Sequence, residues 1–169
     1  MAPGPVTGVV ITVPAAELLT RLQERHGPVM FHQSGGCCDG SAPMCYPIGD
    51  FIVGDRDVLL GILDVGPEGV PVWISGPQYQ AHYLGDRRTQ LVIDAVPGRG
   101  AGFSLETPEG MRFLSRGQAL RDDEHALLAE MAVITGAGFE RGDRPSARGR
   151  VVDLDAGTAP LCGPSGPLG

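Results

Sequence analysis

Apolar positions recur along this chain at two different periods. In "PAAELLTRLQERHG", Leu18, Leu19 and Leu22 fall on one stripe, with Pro14 where a first helical turn tolerates it. Glu17 lies near the positive end and Gly27 is a stop, so the spacing predicts an amphipathic helix over about 14–26. Ahead of it, Pro3, Gly4 and Pro5 precede the apolar run "VVITV". Beyond it the period shortens: "VMFH", "DFIV", "DVLLGILDV", "VPVWIS", "YQAHYL", "TQLVIDAV", "GFSLE" and "MRFLSRG" are brief β-branched or aromatic segments punctuated by Gly, Pro and Asp.

Such segments predict an antiparallel β domain. "ETPEGM" sets Pro108 and Gly110 in a turn between "GFSLE" and "MRFLS", and "DVGPEGVPV" offers a looser turn of the same chemistry. In "TQLVIDAV", Leu91, Ile93 and Ala95 point one way and Val92, Asp94 and Val96 the other, which predicts a strand buried on most of both faces. From Arg121 the period lengthens again. "DDEHALLAEMAVITGAG" has an acidic start, helical apolar spacing and a glycine stop, predicting a second helix over roughly 122–135 that packs on the β scaffold or on a second copy in a homodimer. The remainder, Phe139 to Gly169 with Cys162 in it, is rich in Gly, Pro, Asp and Arg and reads as a poorly structured tail.

The expected fold is therefore α+β and mainly β: an antiparallel sandwich or small barrel with an N-terminal covering helix and a C-terminal helix. The organisation is a β-rich domain over 1–120, then a helix and tail over 121–169.

Composition narrows the function. With 169 residues the chain is long enough to bury a core without disulfides. Net charge is −7, and the 13 Lys and Arg form no dense block, which argues against nucleic acid as a partner. No apolar run reaches the ~18 residues of a membrane helix. The opening stretch lacks a basic segment before its apolar run, so a reducing, cytoplasmic location is expected. There, clustered cysteines point to metal binding or catalysis rather than to disulfides.

Three of the four cysteines lie within nine positions, in "FHQSGGCCDGSAPMC". Gly35, Gly36 and Gly40 free the backbone and Pro43 stiffens the approach to Cys45, so the thiols of Cys37, Cys38 and Cys45 can converge on a point. Thiolates select zinc, copper(I) or iron. The spacing is not the paired CxxC of a zinc knuckle, and buried packing cysteines or a reactive thiol fit it as well. His32, leading into the loop, and His82, in "YQAHYL", are the imidazoles that could complete a metal site, although a hydrogen-bonded or surface role suits either. Glu106 could carry a carboxylate to a barrel mouth as ligand or general base, its commoner alternative being a solvated strand end. Asp94 needs a partner if buried, and Arg112 is one candidate. "GRGAGF" leads into a strand rather than a helix and reads as a bend, not a phosphate loop.

Taken together, "FHQSGGCCDGSAPMCYP", "LLGILD…VPVWIS" and "QLVIDAVPGRGAGFSLETPEGMRFLSR" resemble the bacterial domain-of-unknown-function family numbered 779, over roughly residues 13–120. Ser34, Cys37, Cys38, Asp39, Cys45, Gln90, Asp94, Phe103, Glu106 and Arg112 match its pattern. Arg88 stands where relatives typically have a histidine, which turns attention to His82. The resemblance implies a small protein encoded beside aldehyde dehydrogenases, hence a dehydrogenase as a partner, and it implies no reaction.

Three functions stay open. The favoured one is a metalloenzyme with copper or non-haem iron, zinc being the other ion allowed, bound by the cysteine thiolates and a histidine. It would oxidise a small aldehyde- or sulfur-containing metabolite, with Glu106 and Arg112 orienting an anionic substrate. The second is a non-catalytic metal-binding accessory of an aldehyde dehydrogenase. The third is a thiol-redox protein using Cys37 and Cys38, resolved by Cys45.

Overall fold

The computed structural model describes residues 7–33, 43–77, 79, 89–98, 104–131, 133–153 and 159–160. Their strands are β1 (Val9–Thr12), β2 (Val29–Gln33), β3 (Met44–Pro47), β4 (Val58–Leu63), β5 (Val70–Ile74), β6 (Thr89–Pro97), β7 (Met111–Ala119), β8 (Ile134–Thr135), β9 (Val151–Val152) and β10 (Ala159–Pro160). The helices are α1 (Val13–His26), α2 (Asp122–Glu130) and α3 (Gly136–Glu140). One sheet has the order β10-β7-β6-β1-β9 and the other β3-β2-β5-β4-β8.

The α+β, strand-rich class is as expected, but the sheets are not purely antiparallel, and the described residues close no barrel. Both sheets are open and mixed, because β1 runs parallel to β6 and β9, and β2 runs parallel to β5. Turn chemistry betrays only antiparallel neighbours. Parallel partners such as Val9 and Leu91 are far apart in the chain, and nothing local marks them.

Helix α1 carries the chain from β1 in the first sheet to β2 in the second. Thr12 caps it, accepting from the Ala15 N–H, and Gly27 ends it at a φ of +80°. Its buried stripe, Leu18, Leu19 and Leu22, joins Ile11, Leu91 and Ile93 of one sheet and Phe31 and Val72 of the other in a single core. Phe31 meets Phe113 edge to face across the sheets, 4.7 Å between centroids.

Two segments tie the sheets together at their margins. At one, the Gly149 N–H donates to the Ile62 carbonyl (2.7 Å) and its own carbonyl accepts from Asp64 (2.8 Å), while β9 continues alongside β1. A Cβ on Gly149 would sit 2.2 Å from the Val9 carbonyl oxygen, so only glycine permits this approach. At the other margin the Leu105 N–H donates to the Cys45 carbonyl (3.1 Å), linking β3 to the turn that feeds β7.

Three local expectations are corrected. The second helix stops at Glu130, and Ile134–Thr135 instead form a strand on β4, the β-branched run "VIT" being better accommodated on a pleated surface than in a helical turn. Part of the supposed tail is structured: it completes α3 and supplies β9, which pairs with β1. Finally, β7 pairs with β6, Pro97 opposite Met111, rather than with "GFSLE"; Thr107–Glu109 is a 3-10 turn closed by Gly110 at a φ of +72°. The "DVGPEGVPV" turn joins antiparallel β4 and β5 as expected. No helix among the described residues is long and apolar enough to cross a membrane.

Candidate functional site

Strand alternation decides where the candidate side chains of the β2–β3 hairpin go. Phe31 lies opposite Cys45 and His32 opposite Met44. Phe31 and Cys45 enter the core between the sheets, so His32 and Met44 face the other way. The two metal-ligand candidates that the structure describes on this hairpin, Cys45 and His32, are therefore on opposite faces of one sheet and are not brought together.

On the outer face His32 is 5% exposed. Its Nε2 lies 3.0 Å from Asp57 Oδ2, which also accepts from the Gly54 N–H at 2.9 Å. Because a carboxylate only accepts, the hydrogen of the neutral ring belongs on Nε2, which leaves a lone pair on Nδ1. Among the buried side-chain nitrogen and oxygen atoms of the described residues, His32 Nδ1 alone has no hydrogen-bond partner. Such an atom in a native fold calls for an explanation. The ring rests against Phe51, 4.4 Å between centroids, and Phe51 stacks on Tyr46 at 4.8 Å. Trp73 of β5 stands beside His32 in the parallel register. An imidazole oriented by a carboxylate through one nitrogen, with the other nitrogen open, can act as a metal ligand or a proton acceptor.

On the inner face Cys45 is fully buried and its thiol is free. Burial, reinforced by the charge of Glu106, pushes the thiol well above its ordinary range, so it stays protonated. Glu106 is 1% exposed, not at an open mouth. Its carboxylate accepts from Ser104 Oγ and from the Phe113 N–H, and Ser104 Oγ in turn accepts from the Cys45 N–H at 2.8 Å. Burial raises the Glu106 pKa, partly offset by these hydrogen bonds. Cys45, Ser104 and Glu106 thus form a clasp between β3 and β7, with its polar atoms turned toward one another.

Arg112 is exposed and stands opposite Val96, so it does not meet Glu106 or Asp94. The partner of Asp94 is Arg116, Nε to Oδ2 at 2.8 Å, while Thr12 Oγ1 donates to Oδ1 at 2.7 Å. The Thr12–Asp94 hydrogen bond anchors the start of α1 to β6, and the Arg116 pair ties β6 to β7. Cys37, Cys38 and His82 lie outside the described residues, as does Cys162. Among the described residues no three His, Cys, Asp or Glu side chains stand close enough together to hold a metal ion. A metal on His32 Nδ1 must therefore draw further donors from elsewhere in the chain, and the segment joining β2 to β3 carries two thiols.

Asp57 is the residue that sequence reasoning missed. Nothing in the segment "GDRD" indicates that its second carboxylate orients a histidine 25 positions earlier.

The architecture defines a strand-rich α+β domain with a carboxylate-oriented histidine on one face of a hairpin and a buried thiol on the other. The chain belongs to the family described as a domain of unknown function (DUF779), which matches residues 18–119. No curated protein and no solved structure matches it.

Proposed function

We propose that this protein binds a thiophilic transition metal on the outer face of the β2–β3 hairpin. The donors are His32 Nδ1 and the thiolates of Cys37 and Cys38, and the reaction is oxidation of a small aldehyde- or sulfur-containing metabolite. The observation that carries this reading is the buried, unpartnered Nδ1 of a ring already oriented through Nε2 by Asp57, the arrangement in which histidines commonly ligate metals. Copper and iron suit a mixed imidazole and thiolate set, and zinc is the competing ion. When bound, the metal supplies redox chemistry at an open coordination position. The protein's share is to fix the ring through Asp57 and to shield it with Phe51. Cys45 is left out of the donor set, since its thiol is buried in the core on the opposite face and held protonated.

Metal analysis of anaerobically purified protein tests the reading, followed by oxygen uptake with aldehydes, thiols and thioacids. Stoichiometric metal is expected, lost in His32→Ala and in Cys37→Ser with Cys38→Ser, and retained in Cys45→Ser. Metal without turnover favours the accessory role beside an aldehyde dehydrogenase. Absence of metal, with reversible oxidation of Cys37 and Cys38, favours the thiol-redox role and rejects the metal centre.

A further inference from the structure

We propose that Met44 is an additional, thioether donor at this centre, held in place by Tyr46, and that it biases the site toward copper(I) over zinc; this rests on the metal reading above. Met44 stands directly opposite His32 in the antiparallel register. Side chains so paired have Cβ atoms about 4.5–5.5 Å apart on one face, and the flexible methionine chain can bring its sulfur to a metal held by the neighbouring ring.

Its surroundings differ from those of a packing residue. Met44 is half-buried and belongs to neither apolar cluster of the fold. Instead the Tyr46 hydroxyl donates to Met44 Sδ at 3.3 Å. The Tyr46 ring stacks on Phe51, which lies against His32, so one aromatic ladder fixes both the imidazole and the phenol that holds the sulfur. A thioether sulfur has two lone pairs, and with one engaged by Tyr46 the other stays available. Neutral soft sulfur contributes to binding of copper(I) and little to that of zinc(II).

Anaerobic competition titrations of the full chain against chromophoric copper(I) and zinc(II) chelators test this. Met44→Leu is expected to lower copper(I) affinity about tenfold or more and to leave zinc(II) within about twofold, with a smaller copper-specific loss in Tyr46→Phe. In selenomethionine-labelled protein loaded with copper(I), selenium-edge absorption is expected to show a copper neighbour that vanishes in Met44→Leu. Unchanged copper(I) affinity, an equal loss for both ions, or no copper neighbour at selenium each overturns the role of Met44 while leaving the metal centre standing. A wild-type protein that binds neither ion overturns both.

Discussion

Glu106→Gln separates a structural carboxyl from a catalytic one. The substitution preserves volume but replaces a group that only accepts, or carries one proton, with an amide bearing two donor hydrogens. In the fold the carboxylate takes hydrogen bonds from Ser104 Oγ and the Phe113 N–H at a site 1% exposed. The amide oxygen can satisfy one of these donors. The amide nitrogen takes the place of the other accepting oxygen, so either the Phe113 N–H or the Ser104 hydroxyl hydrogen loses its acceptor, and a buried unsatisfied polar group costs about 1–3 kcal/mol. For a chain of this size that lowers the melting temperature by ~3–9 °C. The cost depends on pH with a definite sign. Burial raises the folded-state pKa of Glu106, so its contribution is fully present below the unfolded value of about 4.3 and is lost as pH rises through the folded pKa. Urea unfolding followed by the fluorescence of buried Trp73 should therefore show the larger gap between wild type and Glu106→Gln at pH 5 and a smaller one at pH 8. Metal content and turnover should be unaffected in the folded variant. A gap that widens with pH, or lost activity at undiminished stability, would refute the clasp and restore Glu106 as a reacting group.

Four other outcomes follow from the same fold. Asp57→Ala removes the acceptor of His32 Nε2 and should weaken metal affinity about 10–100-fold, with a stability loss of ~1–3 kcal/mol, read by chelator competition and urea unfolding. Cys45→Ser places a hydroxyl among Phe31, Phe113 and other core side chains and should cost about 1–3 kcal/mol in denaturation while metal content, measured by elemental analysis, stays constant. Gly149→Ala drives a methyl into the Val9 carbonyl and should destabilise by ~1–3 kcal/mol or more in a thermal melt. A fragment limited to residues 18–119 lacks β1, β8, β9 and β10 and should give no cooperative unfolding transition by circular dichroism, because β1 is an interior strand of its sheet.

Much of the scaffold was legible locally. The stripe of Leu18, Leu19 and Leu22 with Pro14 and Gly27 marked α1 almost to the residue, and the doubly buried pattern of "TQLVIDAV" marked β6 as an interior strand. These features belong to a single segment: periodicity records which faces it must bury, and glycine or proline records where it must stop. The need for a partner at Asp94 was equally visible. Its choice of Arg116 over Arg112 depended on the register between β6 and β7, which no residue declares by itself.

By itself, then, the sequence determined the α1 stripe, the strands β2, β4, β5, β6 and β7, the turn between β4 and β5, and the family to which the chain belongs. It also marked His32 and Cys45 as chemically notable. Only the tertiary structure decided that these two residues face opposite sides of one sheet, that Asp57 orients the imidazole, and that Glu106 turns inward to Ser104 and Phe113. The physical reason is that a side chain's chemistry follows from its partners and its access to water. Partners in β structure are chosen by parallel pairings and sheet-on-sheet packing between segments tens of residues apart, whose contact free energy leaves no local mark on either segment.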